Sequence, residues 1–162
     1  MAVDFFLKLD SINGEAQDSS HKNEIDILSW SWGMSQSGST HMGSGGGSGK
    51  VNVQDISLTK YIDAASPTLS QACCNGKHIK TGTLTVRKAG ENPLEYLKID
   101  LTEIIISSIS TGGSGGEDRL TENISLNFKS FHTTYTPQQS DGSKGSPTEA
   151  KWNMATNKEE AG

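Results

Sequence analysis

The chain has 162 residues, 32% of them hydrophobic, and a formal net charge of −5, which suits one domain with its own core. Arg87 and Arg119 are the two arginines and no basic run exceeds Arg87-Lys88, so nucleic acid is excluded as a partner. No apolar stretch approaches the ~18 residues of a membrane span, and Asp4 and Asp10 break up an N-terminus that is not expected to be a secretory signal.

Val3, Phe5, Leu7 and Leu9 alternate with Asp4, Lys8 and Asp10, the period of a half-buried strand. A polar loop covers Ser11 to Glu24. Ile25 and Ile27 open a second strand whose apolar phase then shifts to Leu28, Trp30 and Trp32, and a slip of one residue predicts a β-bulge. Gly33 to Gly49 is too poor in apolar residues to be core. Val51 and Val53, then Ile56 and Leu58, predict a third strand with a second slip. Ser66-Pro67 reads as an N-cap followed by proline at the first helical position. Leu69, Ala72 and Cys73 share one face and Asn75-Gly76 supplies the stop, which predicts a helix over Pro67 to Asn75.

Three further strands are expected over Ile79 to Lys88, Leu94 to Ser110 and Leu120 to Tyr135, and a short one over Lys151 to Met154. Ser, Thr and Gly make up a third of the chain, which favours strands and connections over helices. The fold class is mainly β, a barrel or sandwich of antiparallel strands with one short helix. One domain is expected over residues 1–154, with 155–162 as an unstructured tail.

Chemistry is sparse. Ser44 to Val51 is close to a phosphate loop but has serine where the first glycine should stand and valine where a hydroxyl is needed. Gly33 to Ser37 lacks the closing glycine of a nucleophile elbow. His21, His41, His78 and His132 are far apart and read as solvated or capping side chains. Glu117, Asp118 and Glu122 beside Arg119 read as an ion-pair network at a loop or subunit edge. Cys73 and Cys74 are adjacent, so their Cα atoms stand ~3.8 Å apart, closer than the ~4.4 Å a disulfide usually needs. Both are expected as reduced thiols in a chain folded in the cytoplasm. No catalytic, cofactor or metal site is assigned. In Ser29-Trp30-Ser31-Trp32 the period of two sends both indoles to one face, as core or interface anchors, and both hydroxyls to the other.

Trp30 to Gly38, Gly49 to Asp55, Thr59 to Asp63, Thr85 to Gly90 and, longest, Ser110 to Asn123 (STGGSGGEDRLTEN) stand in an ordered series. Together they resemble the haemolysin-coregulated protein (Hcp) family, the tube protein of the bacterial type VI secretion system, over Met1 to about Met154. The resemblance implies a β-barrel with one flanking helix, assembled as a homohexameric ring around a wide channel. Rings would stack into a tube propelled by a contracting sheath, with spike and effector proteins as further partners. The tube would assemble in the cytoplasm and leave without a cleaved signal peptide. On that reading Ser29 and Ser31 line the channel and touch cargo. The loop from Gly38 to Gly49, with Gly43, Gly45, Gly46, Gly47 and Ser48, reaches the next ring. No enzymatic activity is expected. The alternatives are a phage-like contractile tail-tube protein, a monomeric carbohydrate-binding β-sandwich using Trp30 and Trp32, and a secreted enzyme, which would need an added catalytic domain.

Overall fold

The computed structural model describes residues 2–37, 49–90 and 93–162. Eleven strands and one helix follow in the order β1 (Val3–Leu9), β2 (Ile25–Ile27), β3 (Ser29–Ser31), β4 (Met34–Ser35), β5 (Asn52–Val53), β6 (Ile56–Tyr61), α1 (Ser66–Asn75), β7 (Ile79–Lys88), β8 (Glu95–Thr111), β9 (Thr121–Asn127), β10 (Ser130–Tyr135) and β11 (Thr148–Asn153). All pairings are antiparallel.

The hydrogen-bonded path runs β2-β1-β7-β8-β9-β6-β3. Its two ends, β2 and β3, are consecutive strands separated by Leu28 alone, whose N–H donates to Thr59 O at 2.8 Å. The sheet therefore curls back on itself as a barrel, which protects most of its edges. Ile25, Ile56, Leu58, Leu84, Ile99, Leu101, Ile104, Ile106, Ile124 and Leu126 fill the inside.

Both early phase slips have a different cause from the bulge expected. At Leu28 the chain leaves β1 and joins β6. After Val53 it leaves the small β4–β5 ribbon and joins β9. A strand that changes partners must re-aim its apolar set, so the slip marks a corner. The true irregularities lie in β8. Glu103 adopts φ 48, and the inward positions step from Leu101 to Ile104 across it. The ladder registers themselves shift at two other places, opposite Val86/Arg87 on the β7–β8 side and between Ile106 and Ser108 on the β8–β9 side. The first half of β8 pairs with β7 and β10, the second half with β9.

Helix α1 ends on left-handed Gly76, as expected, but its N-cap is Ala65 with no side-chain bond. Ser66 is buried and its hydroxyl is engaged elsewhere. The region Leu120 to Tyr135 divides into β9 and β10 at Phe128-Lys129. After Met154 the chain makes the Asn153–Lys158 bridge, and the Gly162 N–H donates to Ser130 Oγ at 2.9 Å.

Candidate functional site, a hydroxyl-lined sheet face

Registers across β3, β6, β9 and the second half of β8 set side chains in transverse rows. Ser31 stands opposite Ser57, Ser57 opposite Ser125 and Ser125 opposite Ser108. The next row is Ser29, Thr59, Asn123 and Ser110. These eight uncharged polar side chains line one shallow hollow of about 220 Å³. Between the rows, on the reverse side, come Trp30, Leu58, Ile124 and Ile109, all packed against the core. Strict alternation thus produces a wet face and a dry face from the same strands.

Ser29 and Ser31 are exposed, and Trp30 and Trp32 lie on the core side. The Trp32 ring meets Phe131 edge-on at 4.9 Å, and its indole N–H donates to Gln54 O at 2.9 Å. Both indoles are half-buried and packed against the core. Residues 38–48, with Gly43, Gly45, Gly46, Gly47, Ser48 and His41, lie outside the described residues.

Sequence reasoning found two of the eight face residues. Ser57/Thr59, Asn123/Ser125 and Ser108/Ser110 carry the same period-two signal, without a tryptophan beside them to draw notice.

Behind this face lies a buried ionic cluster. Lys60 and Glu122 stand opposite each other in the β6–β9 ladder, on the core side, and neither side chain is exposed to solvent. Lys60 Nζ donates to Glu122 Oε1 at 2.5 Å, Asp63 Oδ1 at 2.9 Å and Ser66 Oγ at 3.2 Å. Ser66 Oγ in turn donates to Glu122 Oε1 and accepts from the Asp63 N–H. Glu122 is therefore not part of an exposed network with Arg119, because burial and Lys60 claim it. The Arg119 guanidinium lies 3.9 Å from the Tyr61 ring centroid.

A second polar cluster pins the loop before β2. Arg87 donates to Asp18 through both terminal nitrogens and to Asp4 through one. The Arg87 hydrogen bonds bring the Asp18 carboxyl down to about 2. Donating to Asp18 and Asp4 raises Arg87 above its ordinary value. His21, expected to be solvated or capping, is instead buried and stacked on Phe6 at 4.4 Å. It bridges Glu24 and Glu95. Burial pushes Glu95 up, but the hydrogen bond and charge of His21, with Lys98, bring it below the usual range.

Among the described residues no three His, Cys, Asp or Glu side chains converge as metal ligands, and no helix is long and apolar enough to cross a membrane. Cys73 is half-buried and Cys74 exposed, both as free thiols.

Fold and face together define a small antiparallel β-barrel that presents a polar sheet surface. A family model described as "Type VI secretion system effector, Hcp" matches residues 6–135. Protein hcp1 of Pseudomonas aeruginosa is 59% identical over 159 residues, covering 97% of this chain and 98% of that protein. Hcp1 from Salmonella typhimurium superposes with a TM-score of 0.81 at 42% identity, covering 98% of this chain and 99% of that one. A type VI secretion system effector from Yersinia pestis superposes with a TM-score of 0.77 at 37% identity, over 93% and 99% of the two chains. The chain belongs to the Hcp family of the type VI secretion system.

Proposed function

We propose that this protein is a ring-forming tube subunit whose hydroxyl-lined sheet faces a central channel. The observation that carries this reading is that, among the described residues, no strand pairs with the polar sheet beyond β3 on one side or beyond the second half of β8 on the other. β3 ends the hydrogen-bonded path. Among the described residues the second half of β8 pairs with β9 alone, because β7 leaves it at Ile104 and β10 at Thr102. Two different open edges on one sheet suit head-to-tail pairing with neighbouring copies, a heterologous contact that closes when the rotation fits a ring. Six copies would join their faces into one continuous polar wall.

Such a wall hydrogen-bonds varied cargo without an apolar trap that would retain it. The action is passive: enclosure, stacking and release, with no turnover. Residues 38–48, which stand between β4 and β5 in the sequence, would supply the reach to a second ring. Sheath, spike and effector proteins are the remaining partners, and export proceeds by propulsion of the assembled tube.

The test is sedimentation of the purified protein with negative-stain imaging. Six-membered rings are the expected result. A mass of one chain at micromolar concentration would refute the reading.

A further inference from the structure

Two of the hydroxyls on this face, Ser108 and Ser125, are not free rotors, because a carboxylate fixes their direction through Ser107. Ser107 Oγ donates to Asp55 Oδ2 at 2.6 Å, and Asn127 Nδ2 donates to Asp55 Oδ1 at 2.9 Å. Ser107 Oγ also lies 2.7 Å from Ser125 Oγ, which lies 2.6 Å from Ser108 Oγ. A serine has one hydroxyl hydrogen. Ser107 uses its own on Asp55, so Ser125 must donate to Ser107, and Ser108 must then donate to Ser125. Every hydrogen in the chain Ser108, Ser125, Ser107 points toward Asp55. What remains for a ligand at these three positions is lone pairs.

A carboxylate stands beyond each end of the face. The hollow over the two rows has no charged lining residue. Asp55 lies at one end of β6, and Glu117 lines the adjoining hollow beyond Ser110 and Asn123. Lys50 lines the hollow beside Asp55, with no ion pair between them among the described residues. Arg119, at the Glu117 end, lies over Tyr61.

We infer that this face selects hydrogen-bond donors, and that its occupant is a protein surface rich in Lys, Arg or amide N–H groups. The inference rests on the channel reading for where the cargo sits, and it goes further by naming the cargo's chemistry. Acceptors backed by a carboxylate are complementary to cationic donors and repel an acidic surface. Chains of hydroxyls polarised in one direction also strengthen each successive acceptor.

The experiment uses the full chain with three fluorescent peptides of equal length, bearing Lys and Arg, Gln and Asn, or Glu and Asp. The basic peptide is expected to bind roughly tenfold more tightly than the acidic one at low salt, with the preference shrinking to about twofold at high salt. In Asp55→Asn the terminal group both donates and accepts, the hydroxyl chain loses its fixed direction, and the preference falls to near unity. Glu159→Gln, in the exposed C-terminal segment, changes net charge equally and retains it. Equal binding of all three peptides, or a preference unchanged in Asp55→Asn, would overturn the inference. Because the hydroxyl chain lies within one subunit, the preference reads the same on rings and on single chains. Loss of rings in sedimentation bears on the proposed assembly alone.

Discussion

Replacing Lys60 by methionine tests how the polar sheet is held in place. The substitution keeps most of the side-chain length and removes the charge. It deletes three hydrogen bonds, to Glu122, Asp63 and Ser66. It also leaves Glu122 with no cation beside a side chain that solvent does not reach. Breaking a buried pair from one side costs about 3–5 kcal/mol, because the surviving charge must be neutralised or hydrated. Methionine returns part of that through apolar contact, so a net loss of about 3 kcal/mol is expected. Urea unfolding at several protein concentrations measures it, since an assembling protein gains stability by mass action. The double variant Lys60→Met, Glu122→Leu removes both charges and should recover most of the loss. A single variant within about 1 kcal/mol of the parent would show that the cluster does not hold β6, β9 and α1 together. So would a double variant as unstable as the single one.

Ser31→Gln places a larger side chain on the polar face while leaving the Trp30 side untouched. Rings should form normally and cargo retention should fall several-fold in a pull-down, roughly as expected for the loss of one or two hydrogen-bond sites per subunit. Shortening Gly43 to Gly49 removes glycine and serine alone, so rings should assemble normally while stacking and export fail; normal export would assign stacking to other surfaces. Acid should weaken the Asp18–Arg87 contact in a defined window. The Asp18 carboxyl is lowered to about 2 from 3.8, so its contribution is complete above about pH 4 and is lost as pH falls through about 2. For this half-buried carboxylate that amounts to about 1 kcal/mol, and Arg87→Met should flatten the stability profile there by that amount.

The readable parts of the fold were those with local causes. The span Ile79 to Lys88 was legible to the residue because β-branched and apolar residues recur throughout β7. The helix stop was legible because Gly76 supplies a left-handed residue. The corners at Leu28 and after Val53 were legible only as phase slips. Telling a corner from a bulge requires knowing which strand comes next in the sheet, and that is a property of the whole path. Lys60 was invisible for a similar reason. Lysine is ordinarily a surface residue, and its partner Glu122 stands 62 positions away. Ser66 looked like an N-cap for sound local reasons, but tertiary bonds to Lys60 and Glu122 outweigh one helix-end bond.

The open edges of the polar sheet carry a consequence for how such a subunit avoids the wrong association. Exposed edges are usually blunted by charge, proline or bulges. Here β3 is only three residues long and contains Ser29, Trp30 and Ser31, none of them charged. The facing edge, the second half of β8, is Ile105 to Thr111, likewise uncharged, with a register shift between Ile106 and Ser108. Two copies of β3 offer too few bonds to pair stably with each other. Two copies of β8 would have to match a kinked edge against itself. The pairing of short β3 with the straight end of β8, beyond Ser108, meets neither obstacle. In a ring it would set Ser29 and Ser31 of one copy beside Ser108 and Ser110 of the next, so the same proposed pairing would continue the hydroxyl rows across the subunit boundary. Edge length, lack of charge and the position of the bulge then all favour one head-to-tail contact, and the polar wall follows from it without further specification.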